Sequence, residues 1–273
     1  MELILSIFVN QILLTVGLIA VFGLLIAFCR RMFCRIVGYG GGKILLITGI
    51  VGTPIHELSH ALMCIIFGHR IEEIKLYQPG SEDGTLGYVN HSFNPRNIYH
   101  QIGNFFIGVA PILCGSGVLL LLMYFMVPGV YSAVSGDLQL IAMLPTDFLN
   151  FSSYVGYFDL FGRIILHIFD FSNAGNILWW IFIILSLMIS SHMELSFADI
   201  KGGFKGFIVL SVIILAMDLI LGLISAELLT TVNSAITSFS LSMASFLAIS
   251  GVFSAIMLIL ALVIRCFRMI IKR

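Results

Sequence analysis

Apolar residues run through this chain in long blocks, not in short alternations. Leu3 to Cys29, Lys43 to Gly68, Gln101 to Val127, Ile177 to Ile189, Phe207 to Leu228 and Ile236 to Val263 are hydrophobic segments divided by polar breaks. About 20 apolar residues suffice for a helix to cross a hydrocarbon core of about 30 Å. Lipid offers backbone groups no partner, so such blocks become helices. The pattern predicts an all-α polytopic membrane protein with about six transmembrane helices. The first block follows Met1-Glu2 with no basic run before it and is too long for the core of a cleaved signal. It reads as a retained span.

His69 to Asn97 is the most polar stretch. Ile71 to Tyr77 and Thr85 to His91 flank Gln78-Pro79-Gly80-Ser81-Glu82-Asp83-Gly84, which is turn chemistry, and the three together predict a small β-hairpin between the second and third spans. Pro128 to Asn176 is a connector. Its aromatic residues Phe148, Phe151, Tyr154, Tyr157, Phe158 and Phe161 suit a membrane interface, with an amphipathic helix expected over Gly162 to Phe171. A second polar island, Ser190 to Gly203, follows the fourth block. The chain reads as one membrane domain, 1–273, with accessory spans at 3–29, 207–228 and 236–263.

Composition sharpens this picture. The chain is 59% hydrophobic and 10% charged, with a mean hydropathy of +1.09, against about 25% charged residues in soluble domains. Fourteen Lys+Arg balance fourteen Asp+Glu. With no basic aromatic groove, nucleic acid is excluded as a partner and the lipid bilayer is the expected surroundings. Six crossings put Arg70, Lys75, Arg96, Lys201, Lys205 and the basic C-terminus on one side, so the positive-inside rule favours both termini in the cytoplasm of a multi-pass cell-membrane protein. Arg30, Arg31 and Arg35 then lie outside, a conflict that a re-entrant second segment would remove. The five cysteines, Cys29, Cys34, Cys64, Cys114 and Cys266, are scattered and read as small apolar packers.

Within the second block stands Gly52-Thr53-Pro54-Ile55-His56-Glu57-Leu58-Ser59-His60, an H-E-x-x-H pattern. The i, i+4 spacing sets His56 and His60 on one helix face with Glu57 beside them. Two such imidazoles can share one Zn2+, and the carboxylate can take a proton from water. An ionisable group at the centre of a membrane helix costs about 2.5–3.5 kcal/mol, and a shared metal ion compensates all three. Pro54 predicts a kink or a helix start at Gly52-Thr53-Pro54. A catalytic zinc wants a third protein ligand. His91, His100, His192, Glu194, Asp199, Asp218 and Glu227 are the candidates at segment ends. In one regular helix His192 and Asp199 would stand about 10.5 Å apart along the axis, so they are alternatives. Either Ser196 or Asp199 also suits a helix cap.

The order of these features resembles the site-2 protease class of intramembrane zinc metallopeptidases: H-E-x-x-H in a membrane helix, a hairpin, a span carrying Gly108-Val109-Ala110-Pro111-Ile112, then Asp199-Ile200-Lys201-Gly202. The resemblance covers about residues 44–206. It implies Asp199 as third zinc ligand, with His192 as its rival, Glu57 as general base, and Asn104 or His192 as an oxyanion or substrate contact. It implies a membrane-spanning or membrane-associated substrate that unwinds and pairs with the hairpin. Two other readings stay open: a zinc hydrolase acting on lipid, and a non-catalytic scaffold or transporter. The near absence of charge from the third and sixth spans disfavours a transport path.

Overall fold

The computed structural model describes residues 2–82, 84–143 and 151–271, and Phe148 of the aromatic run lies outside them. The first apolar block is α1 (Glu2–Ile12) and α2 (Leu18–Val37), joined by one π-helical turn at Leu13–Gly17. Helix α3 (Tyr39–Ile66) carries the H-E-x-x-H pattern. Strands β1 (Arg70–Lys75) and β2 (Tyr88–Ser92) follow, then α4 (Ile98–Met126), α5 (Pro128–Met143), α6 (Phe151–Ile168), α7 (Ile177–Ser190), α8 (Phe197–Ile224) and α9 (Ala226–Ile271). Five helical stretches are long and apolar enough to cross a membrane among the described residues, and α7, with 14 residues, is a shorter apolar helix. A helical multi-pass protein with a two-stranded sheet is what the chain forms.

The hairpin is antiparallel, pairing Arg70 with Ser92 and Lys75 with Tyr88, with an irregularity between Ile71 and Glu73. The core is built where α2 packs on α9 and α4 on α3, α7, α8 and α9. Phe22, Ile112, Leu119, Trp179, Phe182 and Phe253 fill it. Leu24, Phe125 and Leu223 point outward, as lipid-facing side chains do.

Four boundaries differ from the sequence expectation. Helix α3 runs unbroken through Pro54. Its 28 residues span about 42 Å at 1.5 Å each, so the motif segment is long enough to cross. Packing on both sides of the proline holds it: a Cβ at Gly52 would lie 2.6 Å from His192 Cδ2 at the α7 end, and His60 bonds to α4. Next, the second polar island is no single helix. It breaks after Ser190 and restarts at Phe197, because Ser196 and Asp199 form a capping box: Asp199 N donates to Ser196 Oγ (3.1 Å) and Ser196 N to Asp199 Oδ2 (2.7 Å). The last two apolar blocks likewise meet at Ser225, where α8 ends, and α9 extends for 46 residues. Finally, the connector folds into α5 and the longer α6, tied by buried Asp137, which accepts from Arg163 (2.6 Å) and pairs with His167 (3.3 Å).

Candidate metal centre

Three elements converge on the motif. Helix α3 presents His56 and His60 one turn apart. Helix α4 lies alongside and supplies the Ile107 carbonyl. Helix α8 brings Asp199 in its first turn. Close approach of α8 to α4 depends on glycine: a Cβ at Gly108 would lie 2.6 Å from the Asp199 carbonyl, and one at Gly206 would lie 2.7 Å from the Gln101 carbonyl. This small-residue seam allows near contact of backbones, as in membrane helix pairs.

The hydrogen bonds fix both imidazole tautomers. His56 Nδ1 lies 2.6 Å from the His192 carbonyl and His60 Nδ1 lies 2.8 Å from the Ile107 carbonyl. Carbonyls only accept, so each neutral ring keeps its proton on Nδ1 and donates it there. The bare Nε2 atoms face each other at 3.1 Å. Asp199 Oδ1 is 3.3 Å from His60 Nε2, and Oδ2 is 3.9 Å from His56 Nε2. Three acceptor groups aimed at one another repel unless a cation lies between them. The ligand atoms of His56, His60 and Asp199 all fall within 4.8 Å of one another, close enough to hold one metal ion. Two imidazoles and a carboxylate fit Zn2+, and carbonyl-anchored rings are the usual support of metal-binding histidines.

Glu57, buried at 6% exposure, stands outside that trio and borders a cavity of about 430 Å3, walled in part by Thr53, Gly87, His192 and Glu194. The hairpin's return segment passes directly over it: a Cβ at Gly87 would come 2.8 Å from Glu57 Cγ. Arg30 and Glu194 form an ion pair at the cavity edge, joining α2 to the turn before α8.

No protein-family model, curated protein or solved structure matches this chain.

The remaining sequence candidates divide by position. His192 is buried and close, but its ring bonds to Thr48 Oγ1 (3.0 Å) and Thr53 Oγ1 (3.4 Å), and its carbonyl orients His56. Asn104 is buried on α4 at the glycine seam, where its carbonyl is 3.7 Å from where a Gly203 Cβ would stand, and it does not line the cavity. His192 does line it. His100 accepts from Asn94 N and supplies a carbonyl to His69. Asp218 accepts from Gln11 at 3.3 Å, and Glu227 lies in the first turn of α9. His91 faces His69. The sequence reading missed the Ile107 and His192 carbonyls and the Arg30–Glu194 pair. Backbone carbonyls leave no residue-type signal.

Asp199 both faces the histidines and caps α8, and the two roles separate by mutation. Ser196→Ala is expected to keep bound zinc and to cost about 0.5–2 kcal/mol, the usual value of an N-cap. Asp199→Ala is expected to lose the zinc as well. His192→Ala keeps its carbonyl and is expected to retain metal. Zinc content by mass spectrometry and thermal unfolding in detergent measure both, and full zinc in Asp199→Ala would remove it as a ligand.

Proposed function

We propose that this protein is an intramembrane zinc metalloprotease, of the kind that the site-2 protease class represents, hydrolysing peptide bonds of membrane-spanning or membrane-associated substrates. One observation carries the reading: two tautomer-locked imidazoles on α3 and a carboxylate on α8 converge beside α4, in helices long and apolar enough to cross a membrane, with a buried glutamate beside them at a cavity. His56, His60 and Asp199 would hold one Zn2+, which when bound supplies the Lewis acidity that makes water nucleophilic near neutral pH. Glu57 takes the proton of the attacking water and returns it to the leaving amine. His192 and its partner Thr53 line the cavity beside Glu57. The low-dielectric walls strengthen each of these charge interactions.

A helical peptide bond is shielded by its own hydrogen bonds, so a substrate segment must unwind to reach Glu57. The segment through Thr85, Leu86 and Gly87 borders the cavity, and the two-stranded sheet beside it offers a template for an extended chain. In this reading the chain makes six membrane passages, α7 included, with both termini in the cytoplasm of a cell membrane.

The test is metal removal. Purified protein in liposomes, given membrane-spanning test peptides, is expected to cleave them, to stop after a strong zinc chelator, and to resume when zinc is restored. Cleavage indifferent to chelation overturns the reading. Release of fatty acid from lipid, with peptides intact, transfers the same chemistry to a lipid hydrolase.

A further inference from the structure

A second group of metal-ligand atoms lies beyond the first and shares no residue with it. Cys64, His69 and His91 each bring one ligand atom within 4.8 Å of the others. The local chain explains how. Helix α3 ends in a Schellman turn: Gly68, at φ +70°, donates to the Ile65 carbonyl (3.2 Å), and His69 N donates to the Cys64 carbonyl (2.8 Å). That 6→1 closure folds His69 back beside Cys64. Strand pairing then carries His91 in, since it sits opposite Ile71 in the hairpin.

A carbonyl again fixes a ring tautomer, here with the two nitrogens exchanged relative to the first site. His69 Nε2 donates to the His100 carbonyl at 2.8 Å, which leaves His69 Nδ1 bare. That nitrogen faces His91 Nδ1 at 3.1 Å. The His69 ring stacks on Phe93 at 5.0 Å between centroids, which fixes its plane. Cys64 is fully buried, and its Sγ lies within 4.8 Å of a ring nitrogen of each histidine. A simple His91-to-His69 hydrogen bond accounts for two of these groups and leaves the thiol's place unexplained.

We propose that Cys64, His69 and His91 bind a second metal ion, of the zinc class, that staples the β-hairpin to the end of α3. A thiolate with two imidazoles selects a borderline-soft transition metal, and no carboxylate joins the group to favour magnesium or calcium. Cys64 follows His60 by one helical turn, about 6 Å along the axis, so the two ions occupy successive turns of one helix face. The staple fixes β2 against α3 and thereby fixes the segment that crosses Glu57. It stands whether or not the first site is catalytic.

Only this second site contains sulfur, so cobalt substitution distinguishes the two. Full-length protein in detergent is stripped, reloaded with Co2+ and examined for thiolate-to-cobalt charge-transfer absorption. The band is expected in the wild type and in the His56→Ala/His60→Ala variant. It is expected to vanish in Cys64→Ser and in His91→Gln, each with metal content reduced by half. His91→Gln, on a half-buried strand position, serves where the buried Cys64→Ser fails to fold. A wild type without the band overturns the proposal, as does a band that survives His91→Gln or that disappears with His56 and His60. Absence of peptide cleavage leaves this readout untouched and bears only on the proteolytic reading.

Discussion

Replacing Glu57 by glutamine is expected to leave the zinc content unchanged and to lower peptide cleavage by about 10²- to 10⁴-fold, the contribution of a positioned general base. The physical ground is the separation of Glu57 from the converging trio. His56, His60 and Asp199 aim their ligand atoms at one point, while Glu57 faces the cavity from the next position on the helix. The amide of glutamine has the same shape and meets the same Gly87 and Thr53 neighbours, so fold and metal should persist. It has no basic oxygen with which to take a proton from water. Cleavage of a membrane-spanning peptide in liposomes, beside zinc analysis of the same preparation, reads both quantities. Undiminished cleavage by a zinc-replete Glu57→Gln protein would sink the assignment of Glu57.

The second large effect is expected far from any ligand atom. Gly206→Ala introduces a Cβ 2.7 Å from the Gln101 carbonyl and closer still to Phe105 N, both backbone atoms of α4. Backbone in a packed helix does not swing aside, so α8 must shift. The cost is about 1–3 kcal/mol, as for other overpacked sites. Asp199 moves with the helix, and misplacement of a reacting group by about 1 Å can cost about 10²-fold in rate. Gly202→Ala is the matched control one turn away, where a Cβ meets nothing within 4 Å. There alanine should be neutral or stabilise by about 0.5–1 kcal/mol through helix propensity. Thermal unfolding and zinc content of the two variants decide it. Equal behaviour of the pair would mean that the seam does not place Asp199.

The sequence made the histidines and the hairpin legible for different reasons. His56 and His60 announce themselves because helical periodicity alone puts i and i+4 together. The hairpin is readable because Pro79-Gly80 and Gly84 demand a turn between two alternating runs. Spacing alone does not choose between Asp199 and His192; the resemblance favours Asp199. The break at Ser191 to Ser196 is not legible: it separates two helices and sets Asp199 beside His56 and His60, while the His192 ring bonds to Thr48 and Thr53. The helix start that Pro54 allows does not occur, because the propensity rule weighs one missing N–H and not the neighbours that hold the helix on either side. Cys64 is buried, as an apolar packer would be; its nearness to His69 and His91 is not legible because they lie across a turn and a strand, at separations no periodicity encodes.

Helix α8 has one further consequence. Of its most apolar 18-residue window, 6% is buried by protein, whereas Gly203 and Gly206, near its start, are buried against α4. The carboxylate of the first trio is thus borne by a helix that is packed on α4 at its start and little covered by protein beyond. The glycine contact with α4 is the helix's closest approach to protein, and a helix so little covered beyond it is expected to tilt with hydrocarbon thickness. Short-chain lipid or detergent that tilts α8 is therefore expected to lower zinc retention at His56, His60 and Asp199 before the protein unfolds, with retention restored in lipid of matching depth, as zinc content beside thermal unfolding would show.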